Sequence, residues 1–352
     1  MLRVLSLLMA LCLAAPASAA ETGKVLPPIA GIYHSANPDF SPEEDKVTEG
    51  RIARYERWAQ KPLVWAYFSD NWITGIHFPA ASAAIIRNHG AIPFVRLLAR
   101  RTEDETCRDR FYSLQKIIDG TFDADLRAYA RDVKAFGAPL MMEFGTEVNG
   151  NWFQWSGACN GGATTTGYGS PDVADGPERF RDAYRHIVML FRAEGAGFVT
   201  WVFHVNGESA PDKPWNAMAA YYPGDDVVDW IGVSVYGALT PADVRKGYRP
   251  SLRSIMDGAY AELAKISTKP MALLEFGVTE YPGKPRWIRN ALRDLAARRW
   301  PRIIAVSWWN DRYPNGGGDW SNLRVNSSYA ALQAYRAGIG RSIFVTGPMI
   351  SP

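Results

Sequence analysis

Eight short apolar runs, spaced along the chain with helix-like stretches between them, constrain this sequence more than any other feature. They are IAGIYHS (29–35), PLVWAYFSD (62–70), AIPFVRLL (91–98), PLMMEFGTE (139–147), FVTWVFHVN (198–206), DWIGVSVYG (229–237), PMALLEFG (270–277) and IIAVSWWN (303–310). Runs of this length, rich in β-branched and aromatic residues and bounded by turn formers, read as buried strands. Amphipathic segments at helical period separate them, clearest at 124–137, 177–195, 251–267 and 285–299, and the segment at 326–338 closes the series. Gly137 and Gly195 stand where a helix stops, and Pro177 and Pro285 where one starts. Eight strands alternating with helices, with no low-complexity linker or composition break, predict an α/β chain folded as one (β/α)8 (TIM) barrel. An open doubly wound sheet is the competing architecture.

Residues 1–20 have a different character. Arg3, an apolar run from Val4 to Ala15 and the small residues Ala17-Ser18-Ala19-Ala20 are the parts of a cleaved secretory signal in order. The expectation is a signal peptide over 1–20, a catalytic barrel over 21–352, and a secreted or periplasmic protein that acts as a monomer. The apolar run is too short to span a bilayer comfortably, so no membrane association is expected after cleavage. Two cysteines then remain, Cys107 and Cys159, in an export route that permits them to pair. The formal net charge is +3, and the Lys and Arg residues form no block, so nothing points to nucleic acid. The five histidines are scattered, with no HExxH or CxxC spacing, no GxSxG elbow and no phosphate or dinucleotide glycine loop. No metal and no cofactor are expected.

The chemistry is concentrated at two strand ends. PLMMEFGTEVNGNWFQW (139–155) and PMALLEFGVTEYPG (270–283) each run from an apolar strand into a turn and deliver a glutamate there. Active sites of such barrels lie at the C-terminal ends of the strands. Two carboxylates beside aromatic faces suit glycoside hydrolysis: one protonates the leaving oxygen while the other attacks the anomeric carbon. In the fourth run, alternation puts Glu143, Gly145 and Glu147 on one face, with Glu147 at the rim and Glu143 deeper, paired with Arg96 or another barrel arginine. In the seventh run Glu275 has the rigid mount, and Glu280 lies farther into the loop. Tyr236, ending the sixth run, is placed to hydrogen-bond Glu275 and lower its pKa. His204, ending the fifth, is a candidate substrate contact. Asn149 and Trp155 belong to the polar and aromatic surroundings of Glu147. Of the 13 tryptophans, Trp72, Trp152, Trp155, Trp215, Trp309 and Trp320 fall in expected loops, free to stack on a pyranose face.

From about Gly31 to Tyr335 the chain resembles glycoside hydrolase family 26, whose best-known members are secreted endo-β-1,4-mannanases. The resemblance rests on IIDGTFDADLRAYARDVKAFGAPLMM, EVNGNWFQW, YYPGDDVVDWIGVSVYG and LLEFG. It implies Glu147 as acid/base, Glu275 as nucleophile, Tyr236 beside the nucleophile, Trp152 after the acid/base, and Trp308 or Trp309 as the aromatic floor of the cleavage subsite. It also implies double displacement with retention on a polysaccharide partner, with mannan first. Two positions depart from the mannanase pattern. Thr146 stands where many members have histidine and Glu143 where they have arginine, which weakens mannan and leaves mixed-linkage β-glucan, β-1,3-xylan and exopolysaccharide open. A noncatalytic carbohydrate-binding barrel is the reading from another class.

Overall fold

A computed structural model describes residues 22–102, 107–315 and 318–352; the expected leader, 1–20, lies outside these described residues. Eight strands form a closed parallel barrel: β1 (Ile32–Asn37), β2 (Trp65–Asn71), β3 (Ile92–Leu98), β4 (Met141–Phe144), β5 (Thr200–Asn206), β6 (Trp230–Tyr236), β7 (Met271–Gly277) and β8 (Ile303–Trp309). Each pairs with its sequence neighbour, and β8 returns to β1 through Tyr33↔Ala305 to Asn37↔Trp309. All eight correspond to the apolar runs of the sequence.

Around them lie α1 (Glu49–Ala59), α2 (Ala80–His89), α3 (Leu114–Ile118), α4 (Asp123–Phe136), α5 (Asp175–Ala193), α6 (Pro241–Arg245), α7 (Leu252–Ile266), α8 (Lys284–Ala296) and α9 (Tyr329–Ile339). The ends obey local chemistry. Thr48, Ser113, Ser251 and Ser328 cap α1, α3, α7 and α9 with side-chain oxygens, and Gly137 ends α4 in the left-handed region at φ 59°. Pro177 is the third residue of α5, which starts two residues before the point the proline suggests.

Strand alternation divides the core in two. Tyr33, Trp65, Phe94, Met141, Val202, Trp230, Ala272 and Leu274 fill the barrel interior. Ile32, Ala66, Val95, Met142, Phe203, Ile231, Leu273 and Val306 face outward and pack under the helices. One end of the barrel is closed by a small antiparallel ribbon, Val25–Leu26 against Met349–Ile350, fastened by Lys24 on Asp229 at 2.7 Å and by Trp230 Nε1 on the Val25 carbonyl. The strand C-termini open at the other end. Cys107, in the loop after β3, is joined by a disulfide to Cys159, in the loop after β4.

Candidate active site

Glu147 reaches the barrel mouth by a turn. Strand β4 stops at Phe144, and Gly145 and Glu147 both have left-handed backbones, at φ 71° and 51°. A Cβ on Gly145 would lie 2.7 Å from Phe180 and 3.0 Å from Trp155, so glycine is required there twice over. Glu147 has no such exemption; a glutamate in this region costs on the order of 1 kcal/mol or more. The strain aims its carboxylate into the cleft, where Trp152 Nε1 donates to Oε2 at 2.9 Å.

Glu275 is aimed by a β-bulge. Simple alternation would send it outward, because Leu274 before it belongs to the barrel interior. The register slips by one residue here: Val233 faces Leu273, but the next residue, Ser234, faces Glu275. On the other side Leu273 faces Val306 while Phe276 faces Trp308. The extra residue keeps both Leu274 and Glu275 inside and returns Phe276 to the outer layer. Tyr236 Oη then donates to Glu275 Oε2 at 2.7 Å, and Arg96 Nη2 lies 3.3 Å from Oε1.

Beneath the pair runs a buried charge network drawn from five strands. Arg96 (β3) contacts Glu275 and, through Nε at 3.6 Å, Glu143 (β4); its Nη1 donates to Glu44 at 2.6 Å. Its guanidinium lies over the ring of Trp309 (β8) at 4.9 Å and that of Tyr67 (β2) at 5.4 Å. Tyr67 Oη donates to Glu143 Oε1 at 2.5 Å, and His204 Nδ1 (β5) lies 2.9 Å from Glu143 Oε2. The same ring contacts Thr146 Oγ1 and, through Nε2, Ser234 Oγ, each at 2.8 Å.

Burial raises the pKa of Glu143, but the charge and hydrogen bond of His204, then Arg96 and the Tyr67 hydroxyl, overturn that and hold it below the ordinary carboxylate value. Burial lowers that of His204, and Glu143 more than restores it, so the imidazole is held above its usual value. Glu275 goes the other way from expectation. Burial pushes it up to about 7, Arg96 opposes, the nearby charge of Glu147 adds to the rise, and the Tyr236 hydrogen bond lowers it without prevailing.

The cleft has a volume of about 790 Å³ and is lined by Glu147, Trp152, Tyr236, Glu275 and Trp309 among the expected residues. Four others do not line it. Trp308 is fully buried on the opposite face of β8, its Nε1 on the Leu323 carbonyl and its ring against Phe276, Trp287 and Tyr335. Trp155 stacks on Phe153 and bonds the Thr146 carbonyl, supporting the turn from below. Asn149 is a buried loop clamp, donating to the Asn206 carbonyl and Ser209 Oγ and accepting from Asn206 N. His204 serves the Glu143 network instead of facing the cleft. Of the other loop tryptophans, Trp72 is buried, whereas Trp320 is 46% exposed and paired in register with the cleft-lining Pro314. Glu280 accepts the Ser327 hydroxyl and does not line the cleft. Sequence reading missed Tyr67, within β2, and Glu44, Tyr248, Asp311 and Tyr313, in the connections after β1, β6 and β8; a tyrosine or acidic residue in such places is too common a signal to act on. Among the described residues no group of three or more His, Cys, Asp or Glu is arranged to hold a metal ion.

Residues 113–267 match the model of glycosyl hydrolase family 26. Over that stretch the chain matches glycoside hydrolase family 26. It is 31% identical over 294 residues to Endoglucanase H of Acetivibrio thermocellus, covering 83% of this chain and 29% of the relative. It is 26% identical over 123 residues to β-1,3-xylanase TXYA of a Vibrio species, covering 35% of this chain and 22% of the relative. The chain therefore spans less than a third of the length of these curated relatives. Among solved structures, the catalytic domain of the family 26 endo-β-1,4-mannanase of Bacillus sp. JAMB-750 superposes with a TM-score of 0.64 at 14% identity, over 90% of this chain and 87% of that one. That likeness is one of fold. The segments after β4 and β6 and the end of β8 supply the aromatic walls of the cleft, and the turn after β4 and strand β7 supply its two rim carboxylates.

Proposed function

We propose that this chain is a retaining endo-β-glycosidase that cleaves a β-linked glucan by double displacement. The observation that carries the reading is the entry of Glu147 and Glu275 into one cleft, each by a special backbone device, a left-handed turn and a bulge. Glu275 is the nucleophile. It sits between a cation and a phenol that favour its ionised form, and its oxygen bonds the anomeric carbon as the leaving oxygen departs. Glu147, beside the Trp152 indole, protonates that oxygen, then takes a proton from water as the water displaces Glu275 from the sugar. Glucan moves ahead of mannan because the relative aligned over most of the chain is named an endoglucanase, and because Thr146 and Glu143 depart from the mannanase pattern. Mannan stays as the second substrate on the likeness to mannanase folds. We also propose export to an oxidising compartment, the Cys107–Cys159 disulfide being the support.

The test is reducing-sugar release from mixed-linkage β-glucan, other β-glucans, mannan, glucomannan and xylans, beside Glu147→Ala and Glu275→Ala. The expected result is glucan cleavage to mixed oligosaccharides, reduced about 10²–10⁴-fold on a natural polymer by Glu147→Ala and lost in Glu275→Ala. Azide added to Glu147→Ala on an activated substrate yields a glycosyl azide of retained configuration. Silence on every polymer with binding kept would move the reading to a noncatalytic barrel.

A further inference from the structure

Among the described residues lining the cleft, carboxylates outnumber cations by seven to two. Two are Glu147 and Glu275. Of the other five, Glu43, Glu44 and Asp311 come from the loops after β1 and β8, Glu208 from the loop after β5, and Asp243 from helix α6, which follows β6. The segments after β6 and β8 meet, Ser321 Oγ donating to the Leu239 carbonyl at 2.7 Å, so these carboxylates form one acidic rim along the cleft that holds the two glutamates. The two cations are already engaged. Arg96 is shared among Glu44, Glu143 and Glu275, and Arg100 Nε donates to Asn71 Oδ1 at 2.7 Å. The cleft is also short of means to hold its own charge: burial, with Glu44 and Asp39 nearby and Ser41 opposing, pushes Asp311 up to about 7.

We infer that the cleft selects uncharged glycan chains and turns away polysaccharides bearing uronates or other anionic groups. This rests on the functional reading above and adds the charge class of the substrate to it. A sugar carboxylate entering the cleft meets like charge, chiefly from Glu43, Glu208 and Asp243, with both lining guanidiniums already engaged, and like-charge juxtaposition is how a site rejects a near-isosteric competitor. The aromatic surfaces of Trp152, Trp309 and Tyr313 remain for the sugar faces, which need no charge.

The experiment compares hydroxyethyl and carboxymethyl derivatives of one soluble β-glucan at equal degree of substitution, so that bulk is matched and charge differs. At low salt the expected kcat/KM is about tenfold lower on the carboxymethyl polymer, narrowing to within about threefold in 0.5 M NaCl as the field is screened. The double variant Glu43→Gln/Glu208→Gln narrows the same ratio at low salt. Equal cleavage of both polymers at low salt, or a difference that salt and the double variant leave unmoved, would overturn the inference. Affinity electrophoresis through gels holding each polymer reads the same ratio without turnover. Failure of the functional reading, no cleavage of either polymer, is thereby separate from failure of the charge filter.

Discussion

Arg96 and Tyr236 each hold one oxygen of Glu275, and both favour its charge, yet burial and the neighbouring Glu147 leave it raised. The titration of Glu275 therefore answers to both neighbouring charges, Arg96 and Glu147. The signs of two substitutions follow. Replacing Glu147 by Gln removes a charge that raises Glu275, so the acid limb of kcat/KM moves to lower pH. Replacing Arg96 by Gln removes a charge that lowers it, so that limb moves up. Both are read with an aryl glycoside whose leaving group needs no protonation, which separates the nucleophile's titration from the acid's. Limbs that stay in place in both variants would mean that Glu275 is not the titrating group. Arg96→Gln also removes the buried cation shared by Glu275, Glu143 and Glu44, at a cost of about 3–5 kcal/mol of stability, so its profile is taken well below its melting temperature. At this scale the adjacent pair Trp308 and Trp309 shows what a linear reading cannot decide. Both are apolar strand residues, and only the parity of β8 relative to its neighbours puts Trp309 in the cleft and Trp308 in the outer core.

Helix α8 begins with Lys284, whose side chain is buried and whose Nζ donates to the carbonyls of Asn322 and Arg324 at 2.9 Å each. It pins the segment that follows the cleft wall at 312–315 and its partner strand Trp320–Asn322. Burial lowers its pKa to about 7, with Glu280 opposing. Below pH 7 both folded and unfolded chains carry the proton. Between about 7 and the ordinary lysine value the folded state sheds it first, so the unfolded state binds more protons and this group's contribution to stability rises with pH. The expected outcome is a melting temperature for wild type that gains on that of Lys284→Met between pH 7 and pH 9.5; a constant difference would show that Lys284 titrates normally. Elements were well marked in the sequence where they were long. All eight strands carried their apolar runs, and α4, α5, α7, α8 and α9 their periodicity. Helices α1 and α2 were not singled out: α1 carries five charged residues in its first nine and buries only Ile52, Tyr55 and Ala59, and α2 is alanine-rich, so neither stands out as a run of large apolar residues.

For the whole molecule, closure of the sheet onto itself decides what converges. Strands β2 to β5, β7 and β8 supply Tyr67, Arg96, Glu143, His204, Glu275 and Trp309 to one layer. The disulfide adds a tether between the loops after β3 and β4, 52 residues apart in sequence. Constraining an unfolded loop of that length stabilises the native chain by about 2–4 kcal/mol. Reduction, or Cys107→Ser with Cys159→Ser, is expected to lower stability by that amount in chemical denaturation. An unchanged midpoint would mean the bond is not formed in the protein tested.

The sequence by itself determined the barrel, the strand ends at which Glu147 and Glu275 stand, and the Tyr236 neighbour, because apolar period, turn residues and strand order are local properties written in linear order. It also placed Cys107 and Cys159 in loops after neighbouring strands. Only the tertiary structure decided that Glu275 faces inward through a bulge, that Glu143 and His204 pair beneath the site, and that Trp155, Trp308 and Asn149 are supports and not cleft walls. Those outcomes depend on inter-strand register and on how burial weighs against charges brought from five or six strands, and neither quantity exists until the barrel closes.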